Sequence, residues 1–80
     1  MTHSVQVGAF LIKDNAVRIK GLLERKGYDA RIVIFEDAKK RTWHTVRIGN
    51  YPSSEIAKKY ANAFTAKEKL ESAVVPIDRL

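Results

Sequence analysis

The sequence predicts an α+β domain of order βαββαβ, a four-stranded antiparallel sheet with two helices on one face. Three observations predict it. Short runs alternate apolar and other residues with the period of two that a strand requires, while two longer runs repeat apolar residues at helical spacing. Each helical run follows a strand, so the chain divides into two βαβ-like halves. No low-complexity tract or long loop interrupts them, and 80 residues make one domain, expected over 1–80.

The first strand is expected at about 3–10, "HSVQVGAF". Alternation points Val5, Val7 and Ala9 toward the helices and Gln6 and Gly8 away from them. "LIKDNA" leads into a helix at about 14–26, with Asp14 or Asn15 expected to cap its first amides. Ala16, Ile19 and Leu23 form the apolar stripe, with Val17 and Leu22 at its margins. Gly21 weakens this helix by about 1 kcal/mol relative to alanine, and is expected to admit a close approach to the sheet. Gly27 follows a basic last turn, as a helix-stopping glycine does.

"YDARIVIF" predicts a strand at about 29–35, with Ala30, Ile32 and Ile34 inward and Arg31, Val33 and Phe35 outward. The short polar link "EDAKK" joins it as a hairpin to a third strand at about 41–49. There His44, Val46 and Ile48 face the helices and Trp43, Thr45 and Arg47 face outward. His44 is expected to be a hydrogen-bonded strand residue, neither catalyst nor ligand. Pro52 ends the strand, and Ser53 caps a second helix at about 53–69 with Glu55 in its first turn. Ala57, Tyr60, Ala61 and Phe64 share its inner side, while Lys58, Lys59, Lys67 and Lys69 form a solvated side. Tyr28, Tyr51 and Tyr60 read as core margins and turn anchors. "SAVVPI", about 72–77, is the last strand, and Pro76 assigns it to a sheet edge. In this ferredoxin/RNP-like arrangement the first and third strands are central, and the face away from the helices is open.

Composition narrows the chemistry. With no cysteine there is no disulfide or thiolate metal site, and His3 and His44 alone are too few for a four-ligand zinc centre. No cofactor and no metal are expected. The net charge of +6 suits an anionic partner such as nucleic acid, acidic lipid or acidic polysaccharide, although solvated lysines account for part of it. No apolar run approaches the ~20 residues of a membrane span. "MTHS" leads straight into the first strand without a signal peptide, so a chain working outside the cytoplasm is expected to be a fragment of a larger protein.

The outward positions form a coherent set: Gln6, Gly8, Trp43, Thr45 and Arg47 on the central strands, with Arg31 and Phe35 flanking. An indole offers a flat apolar surface with one N–H at its edge. A glutamine amide both donates and accepts, which suits hydroxyl and acetamido groups. A guanidinium suits a carboxylate or phosphate, and a glycine lets a ligand lie close to the backbone. No acidic residue is expected on this face, whereas glycoside hydrolysis needs a pair of carboxyl groups. A binding role is therefore expected, not an enzyme.

"VQVGAF", "AVRIKGLLERKGYDARIV" and "WHTVRIGNYPSSEIA", in that order and spacing, resemble a SPOR domain, from about Ser4 to Ile77. The resemblance implies a module of the bacterial cell envelope, in the periplasm or cell wall. It implies binding to peptidoglycan glycan strands that lack stem peptides, through the open sheet face, and gathering at the division site. By the same resemblance Gln6, Trp43, Thr45 and Arg47 match glycan-binding positions, and Ala9 stands where many members have serine. The isolated domain is expected to be monomeric. The alternative is a single-stranded nucleic-acid-binding domain of the RRM type, which shares the topology. "RTWHTVRI", however, has one aromatic and lacks the glycines of that signature. Gln6 also stands where the first strand would carry a stacking ring, so no nucleic acid is expected as partner.

Overall fold

The computed structural model describes residues 1–77, so residues 78–80 of the expected 1–80 domain lie outside the described residues. The order is β1 (His3–Phe10), α1 (Lys13–Arg25), β2 (Ala30–Glu36), β3 (Thr42–Tyr51), α2 (Ser54–Glu68) and β4 (Ala73–Pro76). All pairings are antiparallel and the sheet order is β2-β3-β1-β4, so β1 and β3 are central and Pro76 lies on an edge strand. Both helices lie on one face, α1 over β2, β1 and β3, and α2 over β4, β1 and β3.

Small and β-branched residues build the core. Val5, Val7, Val46 and Ile48 from the central strands meet Ala16 and Leu23 of α1 and Ala61 and Phe64 of α2, and Ala57 of α2 is also fully buried. The alanines let α2 approach the sheet closely, and Phe64 fills the remaining space edge-on to Tyr28, 5.3 Å between ring centroids. Tyr60 departs from its expected inner position: it is exposed and stacks on Tyr51 at 4.8 Å instead. Ile34 keeps its helix-side register opposite His44, yet is 56% exposed on the outer strand. His44 sits between Phe10 and Ile34 on neighbouring strands, and its buried Nδ1 has no hydrogen-bond partner among the described residues, contrary to expectation. Its neighbours in that row are hydrocarbon and offer no acceptor.

The helix ends differ in how they are made. Ser53 caps α2 as expected, its hydroxyl accepting from the Ile56 N–H at 3.2 Å. At α1 the expected cap by Asp14 or Asn15 does not form. Ile12 is the cap residue and has no side-chain bond to give, while Asn15 accepts from Arg18. Gly27, at φ +94°, closes α1 with a Schellman pair, Gly27 N–H to Glu24 C=O and Tyr28 N–H to Leu23 C=O. Around Gly21 there is open space, so it marks no close approach to the sheet. The far ends of the helices are clasped by Glu68, which accepts from Lys26 at 2.5 Å and from the Tyr28 hydroxyl at 2.7 Å.

Two β-bulges between β1 and β3 decide which side chains face outward. Between the pairs Val5–Ile48 and His3–Tyr51, β3 carries one extra residue at Gly49–Asn50. Gly49 adopts φ +64°, the left-handed conformation such a bulge requires. Between the pairs Gln6–Arg47 and Gly8–Val46, the extra residue is on β1. Val7 and Gly8 therefore both turn to the helix side. A Cβ on Gly8 would come within 2.7 Å of the Phe10 ring, which occupies the space the missing side chain leaves. Beyond the bulge the parity of β1 is reversed, so Ala9, opposite Thr45, faces outward.

Candidate functional site

The open sheet face holds a groove of about 390 Å³ that runs from β2 across β3 and β1 to β4. Phe35 and Trp43, directly opposite each other, form its aromatic wall. Thr45 and Arg47 continue along β3, Gln6 and Ala9 lie on β1, and Val75 and Pro76 complete the far side. Five of the expected residues thus meet in one place: Gln6, Phe35, Trp43, Thr45 and Arg47. Two do not. Gly8 is turned to the helix side by the bulge, and Ala9 takes its place in the groove. Arg31 stays on the open face opposite Arg47, but it does not line the groove.

Arg31 instead reaches across β3 at Gly49. It donates to the Gly49 C=O at 3.2 Å, to Asn50 Oδ1 at 2.7 Å and to Ser4 Oγ at 3.0 Å. It thereby ties β2, the bulge in β3 and β1 together. Ser4 is fully buried as a result. Arg47, opposite both Arg31 and Gln6, is only 7% exposed and still borders the groove. Two guanidinium groups thus stand in opposed register on the open face.

The other end is built around Trp43. Its Nε1 donates to Asp37 Oδ2 at 2.9 Å, and the Arg41 guanidinium lies over the ring, 5.6 Å from its centroid. Asp37 belongs to the β2–β3 hairpin. Its Oδ1 accepts from the Lys39 and Arg41 backbone amides at 2.9 Å each, and its Oδ2 also accepts from Arg41 Nε at 2.6 Å. These bonds, the indole's first and the Arg41 amide's next, hold the Asp37 carboxyl well below the usual carboxylate range. Thr45 is likewise committed, its hydroxyl donating to the Val33 C=O at 2.6 Å. The indole N–H, expected as a donor at the edge of the platform, and the Thr45 hydroxyl are thus engaged by the protein itself. The groove is also lined by the indole face, the Phe35 ring, the Gln6 amide and Arg47.

Asp37 thus stands in the hairpin beside the open face, outside the groove lining. With four donors on its two oxygens it has no acceptor capacity left for acid–base work. Among the described residues no cluster of three or more histidine or acidic side chains is placed to hold a metal ion. No helix among them is long and apolar enough to cross a membrane.

Sequence reasoning missed Ala9, Val75 and Pro76 in the groove, and Asp37 and Arg41 behind Trp43. The bulge hid the first, and β4 carried no cue to its outward side. Asp37 read only as part of the polar link "EDAKK", and Arg41 as the first residue of the third strand.

The family model for the SPOR domain matches residues 2–76. Among solved structures, the solution structure of the peptidoglycan binding domain of the B. subtilis cell wall lytic enzyme CwlC superposes with a TM-score of 0.71 at 26% identity, covering 96% of this chain and 90% of that one. The crystal structure of the RlpA SPOR domain from Pseudomonas aeruginosa gives a TM-score of 0.68 at 21% identity, covering 94% of this chain and 97% of that one. Comparison with curated protein sequences finds no match.

Proposed function

The chain belongs to the SPOR domain family, and from that premise we propose that it binds peptidoglycan through the open face of its sheet. SPOR domains are non-catalytic binding modules. The observation that carries the reading is the groove itself, with two aromatic rings at one end and an arginine at the other. Rings stack on the apolar faces of sugars, and the Gln6 amide suits acetamido and hydroxyl groups.

The ligand is the glycan strand freed of its stem peptides. Removing the peptide exposes the lactyl carboxylate of each muramic acid, and the strand becomes a polyanion with a regular repeat. Arg47 pairs with a lactyl carboxylate while Trp43 stacks on a sugar face. Such strands mark the septum of a dividing bacterium, so the domain directs a larger envelope protein to the division site. Ala9 leaves apolar the groove position opposite Thr45, where a serine would add one polar contact.

Co-sedimentation with purified sacculi, before and after amidase treatment, tests this. Binding should rise when stem peptides are removed and weaken as salt is raised. Arg47→Ala should lower affinity roughly tenfold and flatten the salt dependence, as expected for loss of a charge-assisted bond. Binding indifferent to amidase, or retention of single-stranded RNA instead, would overturn the reading.

A further inference from the structure

We propose that Asp37 is a positioning residue for the groove: through the indole N–H it fixes Trp43 so that one ring face is presented to the ligand. The inference rests on the glycan-binding reading for its ligand and on hairpin geometry for its mechanism.

The geometry divides the carboxylate into two halves. Oδ1 accepts the Lys39 and Arg41 backbone amides and so builds the turn. Oδ2 accepts Trp43 Nε1 at 2.9 Å and Arg41 Nε at 2.6 Å, and so holds side chains. The same Arg41 guanidinium lies over the indole. The ring is therefore fixed at its edge by Asp37 and covered by Arg41, leaving one face for the groove. A platform held in this way loses little rotational freedom when a ligand arrives, which improves affinity without any new contact. The link is local, because Asp37 and Trp43 are six positions apart on one hairpin.

Asp37→Asn separates the two halves. The remaining carbonyl oxygen can still accept the turn amides, as asparagine does in such turns. Its NH₂ group then faces two donors, the indole N–H and Arg41 Nε, and cannot hold either. Trp43 is the one tryptophan of the chain, so its optical signals report this site alone. Asp37→Asn should stay folded by far-UV circular dichroism, lose fluorescence anisotropy and near-UV ellipticity at Trp43, and bind amidase-treated sacculi roughly tenfold more weakly. Arg41→Ala, which leaves the turn amides in place, should lower the anisotropy in the same direction. In a Trp43→Phe background, where there is no N–H to hold, Asp37→Asn should change binding less than about twofold, the non-additivity expected of coupled residues.

Wild-type anisotropy in both variants would overturn the proposal, and so would an equal loss of binding from Asp37→Asn with and without the indole. Failure of the wild-type protein to bind any sacculi would instead reject the glycan reading. The anisotropy comparison would still decide whether Asp37 holds Trp43.

Discussion

The two faces of the sheet are both buried along β3, but by different means. On the helix side Val46 and Ile48 are covered by Leu23, Phe64 and the helix alanines. On the open side Thr45 and Arg47 are nearly as buried, at 3% and 7% exposure, among neighbouring side chains of the sheet. Apolar contact suffices on the first face. On the second, polar groups are tied to backbone and to one another: Thr45 to Val33, Arg31 to Gly49 and Ser4, Trp43 to Asp37. The difference teaches that the open face is an ordered surface before any ligand arrives, with few side chains left to be fixed by binding.

Truncation on each face gives the sharpest contrast. Leu23→Ala, at a fully buried position, should cost about 2–5 kcal/mol in urea denaturation, with the folded fraction binding as before. Trp43→Ala should cost about 1 kcal/mol of stability yet about 2 kcal/mol of glycan affinity, as a central aromatic anchor does. Similar losses of stability at both positions would dissolve the contrast. Next in size is Gly49→Ala, because Gly49 serves both faces. Its φ of +64° disfavours a side chain, a Cβ would meet the Tyr51 ring, and its carbonyl accepts from Arg31. A loss of about 1–3 kcal/mol is expected, read by the same denaturation curve.

Acid should probe the two faces separately. Asp37 on the open side is held low by the Trp43 indole and the hairpin amides, and Glu68 on the helix side by Lys26 and Tyr28. Both folded values lie below the unfolded ones. Their stabilisation is therefore complete above about pH 5 and is lost as pH falls through the folded values. Melting temperature against pH should decline below that point, less steeply in Asp37→Asn and in Glu68→Gln than in the wild type. A wild-type curve that is flat there, or variants that match its slope, would contradict the assignment. The smallest effect is expected at the hairpin tip. Lys40 holds φ +61°, a left-handed position that glycine adopts freely. Lys40→Gly should gain about 0.5 kcal/mol, the relief of that conformation less the added freedom of the unfolded chain, and should leave binding unchanged.

Much of the helix face was legible in the sequence, because its rules are local. Alternation at Val46 and Ile48, the stop at Gly27, the cap at Ser53 and the edge signal of Pro76 each depend on a few neighbouring residues. The open face was legible only as far as strict alternation held. Gln6, Trp43, Thr45 and Arg47 fall where parity puts them. Gly8 and Ala9 exchange sides because the bulge at Val7 inserts a residue, and a period of two carries no mark of an insertion. The work of Arg31 depends on Ser4 and Gly49, brought together by strands distant in sequence. Asp37 looked like ordinary turn chemistry, and half of it is, since one oxygen builds the turn while the other holds the indole.

Amide chemical-shift mapping during titration with glycan strands freed of stem peptides tests the central claim most directly. Shifts should concentrate at Gln6, Ala9, Phe35, Trp43, Arg47 and Val75, with the Trp43 side-chain N–H among them, and leave the helix-side residues Ala57 and Ala61 unmoved. Shifts centred instead on the cleft of Tyr28, Tyr51 and Tyr60 on the helix side, or no saturable shifts at all, would contradict it.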